Sequence, residues 1–93
     1  MTMEPTARLA RRVQKDFGDD AELVLAALVE LPRDAASERV QAAVVKLANG
    51  DLGRLDRQLK EARIDWRDVL VAAGFAHEDW PDHVDAYLSL IHI

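Results

Sequence analysis

The chain has 93 residues, no cysteine, 49% hydrophobic and 31% charged residues, and a formal charge of −5. That is enough for one packed domain, and it excludes a disordered acidic tail, a disulfide framework, a cysteine-held zinc and a thiol nucleophile. Aromatics supply only 5%, so Leu, Val and Ala must build most of the core.

The first segment, residues 1–17, is polar and interleaved with Arg, unlike a secretory signal. Leu9, Val13 and Phe17 recur every fourth residue, with Arg8, Arg11, Arg12 and Lys15 on the opposite side of the wheel. This predicts an amphipathic helix starting near Pro5 and stopped by Gly18. Asp19 with Glu22 reads as a capping box for a second helix, roughly 20–31, ended by Pro32. Leu23, Val24, Leu25, Ala27, Leu28, Val29 and Leu31 make it apolar on nearly every side, the pattern of a central buried helix.

Asp34 or Ser37 can cap a third helix bearing Ala36, Val40, Ala43, Val44 and Leu47, which stops at Asn49-Gly50. Asp51 can cap a fourth, with the stripe Leu52, Leu55, Leu59, Ala62 and an Asp56–Lys60 pair outside. Two further starts share D-W-x-D. Asp65-Trp66-Arg67-Asp68 precedes Val69, Leu70, Ala73 and Gly74; Asp79-Trp80-Pro81-Asp82 precedes Val84, Tyr87, Leu88 and Ile91. In each, Asp can cap free N–H groups while Trp lies over the core edge.

No strand alternation outlasts the helical period, and no apolar run nears the roughly 20 residues of a membrane span. The fold expected is all-α: one compact bundle of five to six short helices, joined by connections of two to five residues, covering 1–93 as a single domain. The absence of Cys suits a reducing compartment, so the expected location is cytoplasmic, without membrane contact.

Residues 38–70 contain E-R-V-Q-A-A-V-V-K-L-A-N-G-D-L-G-R-L and then D-W-R-D-V-L. This third of the chain resembles a group of small bacterial helical proteins of unassigned function. Their pattern is R-V-Q-x-A-V-x-K-L-x-x-G-D-L-x-x-L, followed by an acidic-aromatic-R-D-V-L segment. The resemblance implies a bacterial origin and carries no activity, cofactor or catalytic residue with it.

Charge is unevenly placed. Residues 1–67 hold all 12 basic residues and balance to zero, whereas 68–93 hold Asp68, Glu78, Asp79, Asp82 and Asp85 with no Lys or Arg. His77, His83 and His92 also lie in that last quarter.

Candidate chemistry is sparse. Ser37 and Ser89 are the only serines, and neither sits in a nucleophile elbow. His77, Glu78, Asp79, Asp82, His83 and Asp85 crowd together, but without H-E-x-x-H spacing, and they read as a solvated helix start. Asn49-Gly50-Asp51-Leu52-Gly53 lacks the Lys-Ser/Thr of a phosphate loop. No catalytic residue, metal site or cofactor is therefore expected, and the chain reads as a non-enzyme.

The pI near 5.0 argues against nucleic acid. Weak polyanion binding by Arg8, Arg11, Arg12 and Lys15 is the alternative reading. The leading reading is a protein-association module, with homodimerisation through the C-terminal part as one form. Trp66, Trp80 and Tyr87, together with Ile91 and Ile93, are its candidate anchors.

Overall fold

A computed structural model describes residues 4–89. Its regular structure is entirely helical: α1 Ala7–Phe17, α2 Ala21–Val29, α3 Glu38–Ala48, α4 Leu52–Ala73 and α5 Trp80–Leu88, with 3₁₀ turns at Gly18–Asp20 and Arg33–Ala35. The expected all-α class holds. The helix inventory differs, because the two predicted helices on either side of Asp65 join into one long element.

Capping explains where most of these helices start. Thr6 precedes α1 and its hydroxyl accepts from Leu9 N–H; Ser37 accepts from Val40 N–H and Asp51 from Arg54 N–H. Each satisfies an amide that the first helical turn leaves without a carbonyl. At α2 the expected Asp19/Glu22 box does not form. The 3₁₀ turn feeds directly into the helix, and Gly18 C=O takes the Ala21 N–H instead of a side chain. Asp79 likewise makes no capping bond at α5, because its carboxylate lies 3.0 Å from His83 Nε2, one turn further on.

Helix ends follow backbone preference. Asn49 adopts left-handed φ 50° after α3, and Gly74 adopts φ 82° after α4. At Gly50 the turn runs so close to α1 that a Cβ would lie 2.9 Å from Asp16 C=O. The connection 30–37 is longer than expected and contributes Leu31, Ala35 and Ala36 to the core.

The helix at the centre is α3, not α2. Gln41, Ala42, Ala43, Val44 and Val45 are consecutively buried in α3, whose neighbours include α1, α4 and α5. In α2 only Ala21, Val24 and Leu28 are buried, and Leu23 is 63% exposed. Small Ala side chains let neighbouring helices close around α3, whereas α2 packs chiefly on α1 and keeps an open face. One contiguous cluster of buried side chains results, running from Leu9 in α1 to Leu88 in α5.

The long helix α4 packs mainly on α3. Leu55, Leu59, Ala62, Val69, Leu70 and Ala73 face inward, while Leu52, in the first turn, stays partly exposed. Asp65 interrupts the helix with φ −153° and ψ 95°, and its Oδ1 accepts from Arg67 N–H at 3.0 Å. The D-W-R-D segment therefore opens a helix as its composition suggests, but with no loop in front of it. The outcome is a bend.

Candidate functional site

The basic stripe of α1 divides into two halves with different fates. Arg8 bonds Glu38 through Nε at 2.9 Å and Nη2 at 2.5 Å, and reaches Asp85 in α5 at 2.6 Å. Thr6 also donates to Glu38. Hydrogen bonds from Arg8, joined by that from Thr6, hold the Glu38 carboxyl below its usual range against a desolvation penalty. The same Glu38 and Asp85 bonds push the Arg8 guanidinium further up.

Arg12 donates to Tyr87 C=O at 2.9 Å, lies 4.3 Å over the Tyr87 ring and pairs with Asp16 at 3.3 Å. Arg8 and Arg12 thus clamp α1 to its neighbours. Arg11 and Lys15 are exposed, so only half of the predicted cationic stripe faces solvent. The basic first helix and the acidic last helix do meet, within one chain.

The aromatic anchors are largely occupied as well. Tyr87 packs 5.9 Å from Phe75 with its hydroxyl buried, and burial pushes the phenol pKa up. Trp80 is half-buried under Arg39, whose guanidinium lies 4.5 Å from the ring and whose Nε donates to Phe75 C=O at 2.8 Å. Trp66, also half-buried on the core, carries Arg67 at 5.3 Å. Ile91 and Ile93 lie outside the described residues.

Lys46 donates to Ala73 C=O at 2.7 Å and sits 4.9 Å from the Phe75 ring. With Arg39 it straps the end of α4 and the following connection to α3, placing positive charge where helical carbonyls point outward. Neither cation stands out in the sequence as a site residue.

The acidic, His-bearing segment 77–85 stays at the surface, apart from Trp80 and Val84, and its His83–Asp79 pair is exposed. Among the described residues, no group of three or more His, Asp or Glu side chains could hold a metal, and no helix is long and apolar enough to cross a membrane.

Besides the open face of α2 with Leu23, the outer side of α4 keeps large apolar side chains in solvent. Ile64 is 80% exposed and Val71 67%, the two most exposed large apolar side chains among the described residues. On the same helix a groove of about 340 Å³, whose lining includes neither of them, spans the bend at Asp65. Arg57, Gln58 and Glu61 line its first arm; Asp68, Val69 and Ala72 line the second. Neither Ile64 nor Val71 belongs to the core stripe of α4. Their seven-residue separation outside that stripe was the available signal.

No protein-family model, curated protein or solved structure matches this chain.

Proposed function

We propose that this domain is a non-enzymatic association module that binds protein through the outer face of α4, in the bacterial cytoplasm. The supporting observation is that Ile64 and Val71 stand in water on a helix whose opposite face is already packed on α3. Isolated apolar exposure is ordinary, but two such side chains on one helix that also carries a groove lined by Arg57, Glu61 and Asp68 give a partner apolar contacts among polar ones. The half-buried Trp66 and Trp80 serve chiefly to seat helix starts on the core.

Affinity capture of the tagged protein from native lysate, with and without nuclease, tests this reading. The expected result is a protein partner, which includes further copies of the chain, retained after nuclease treatment and lost in Ile64→Asp/Val71→Asp. Equal capture by the folded variant would overturn it. Polyanion binding draws its support from Arg11 and Lys15 alone once Arg8 and Arg12 are engaged internally. Salt-sensitive binding to labelled DNA or RNA, abolished by Arg11→Glu/Lys15→Glu, would favour it instead.

A further inference from the structure

From the turn between α3 and α4 we infer that Asn49 is a site of spontaneous deamidation, held closed while the turn is folded. Asn49 is the only asparagine in the chain, and a glycine follows it. Both residues are exposed, so water reaches them. Gly50 carries no Cβ, which leaves its amide nitrogen open to approach by the Asn49 side chain.

The reaction consumes only water. Gly50 N gives up its proton to solvent base and attacks Asn49 Cγ. A C–N bond forms, closing a five-membered succinimide, and the Cγ–Nδ2 bond breaks as ammonia leaves with a proton. Water then opens the ring at either carbonyl. One opening gives aspartate; the other gives isoaspartate, whose main chain runs through the former side chain.

Ring closure requires Gly50 N to eclipse the Asn49 Cβ across the Cα–C bond. The folded turn sets it on the opposite side. Asn49 has φ 50° and ψ 43°, and at that ψ the next nitrogen is nearly anti to Cβ. Bringing it round swings the Gly50 peptide through most of a half turn. Asp51 N–H, bonded to Ala48 C=O at 3.0 Å, and the Asp51 carboxylate, accepting from Arg54 N–H at 2.9 Å, oppose that rotation. Gly50 also has little room beside α1, where an added Cβ would lie 2.9 Å from Asp16 C=O. Attack therefore waits until the turn opens. Either product places a carboxylate at the C-terminal end of α3, where unpaired carbonyls already concentrate negative charge and Asp51 lies two residues on. Isoaspartate also lengthens the main chain at the close approach to Asp16. A molecule that has opened and reacted thus keeps a weakened α3–α4 connection.

Incubating the full chain at mildly alkaline pH, folded in buffer and unfolded in guanidinium chloride, tests this. Mass spectrometry of the tryptic peptide 47–54 follows the amide-to-acid conversion, and chromatography separates the two products. The unfolded chain should convert about tenfold or more faster than the folded one. Asp51→Ala, which removes the cap of α4, should convert about fivefold faster than wild type when folded, each rate taken relative to the same chain unfolded. Asn49→Asp, identical to one product, should unfold at a lower urea concentration than wild type. Circular dichroism confirms that both variants are folded before incubation.

An unfolded chain that does not convert would overturn the site itself. Equal rates in the folded and unfolded chains, or a folded Asp51→Ala with the wild-type relative rate, would overturn its closure by the turn. An Asn49→Asp midpoint equal to or above that of wild type would overturn the weakened connection.

Discussion

Replacing Arg12 by Gln distinguishes a structural clamp from a free cationic face. The guanidinium stacks 4.3 Å over Tyr87, donates to Tyr87 C=O at 2.9 Å and approaches Asp16 at 3.3 Å. A partly desolvated cation–π contact is worth about 1 kcal/mol, and a hydrogen bond from a charged donor about 1.5 kcal/mol. The i,i+4 pair with Asp16 adds only about 0.3 kcal/mol. These contacts share one side chain, so their loss is expected to cost about 2–3 kcal/mol rather than a strict sum. Arg11→Gln, on the same helix but exposed, should stay within about 0.5 kcal/mol of wild type. Arg12→Lys should fall between them, keeping charge but losing the planar stack. Urea unfolding followed by circular dichroism reads all three, and a melting scan should show Arg12→Gln about 8–20 °C lower. If Arg12→Gln and Arg11→Gln unfold at the same urea concentration, the clamp is absent and the basic stripe is a free surface.

Gly50→Ala should destabilise more than Gly74→Ala. Both carry positive φ, costing about 1–2 kcal/mol, but only at Gly50 does the new Cβ meet backbone, at 2.9 Å from Asp16 C=O, adding about 1–3 kcal/mol. Equal losses in urea unfolding would contradict that close approach. Glu38→Gln should lower stability at neutral pH, with the deficit shrinking on acidification. The folded Glu38 pKa lies below the unfolded one, so its contribution is full above about 4.5 and is lost as pH falls through the folded value. A deficit unchanged by acid would refute the ionic role. Leu28→Ala should cost about 2–5 kcal/mol and Leu23→Ala under about 0.5 kcal/mol, although both lie in the same apolar run. Comparable losses would show that α2 is buried all round.

Local chemistry makes many of the helix boundaries legible in advance. Ser37, Asp51, Asn49 and Gly74 act within a few bonds of their own backbone, so a short window of sequence contains the cause. The start at Asp65 is readable for the same reason. Whether that start follows a loop or a bend depends on how both halves pack against α3, which no local window holds. The relative burial of α2 and α3 escapes the sequence for a related reason: hydrophobicity measures what a helix can bury, while its neighbours determine what it does bury. Ala42, Ala43 and Ala48 place α3 inside because they are small. Arg8, Arg12, Arg39 and Lys46 look alike as surface charges, and apart from Asp16, one turn beyond Arg12, their acceptors lie 27 or more residues away. The groove is hidden because it needs the bend at Asp65.

The clamp between α1 and α5 also has a consequence for the order in which the molecule comes apart. Arg8 and Asp85 are 77 positions apart, whereas α3 and α4 are joined by a short turn and pack along their length. Closing the longer loop costs more chain entropy, and a nine-residue helix held at two small contacts has little to set against it. Amide hydrogens of α5 should therefore exchange through a local opening well before those of the α3–α4 hairpin. Each such opening detaches Asp85 and Tyr87 from α1 and frees Arg12 from its ring and carbonyl partners beside exposed Arg11 and Lys15, while Arg8 stays bonded to Glu38. The cationic character of the first helix is thus set by an equilibrium at the far end of the chain.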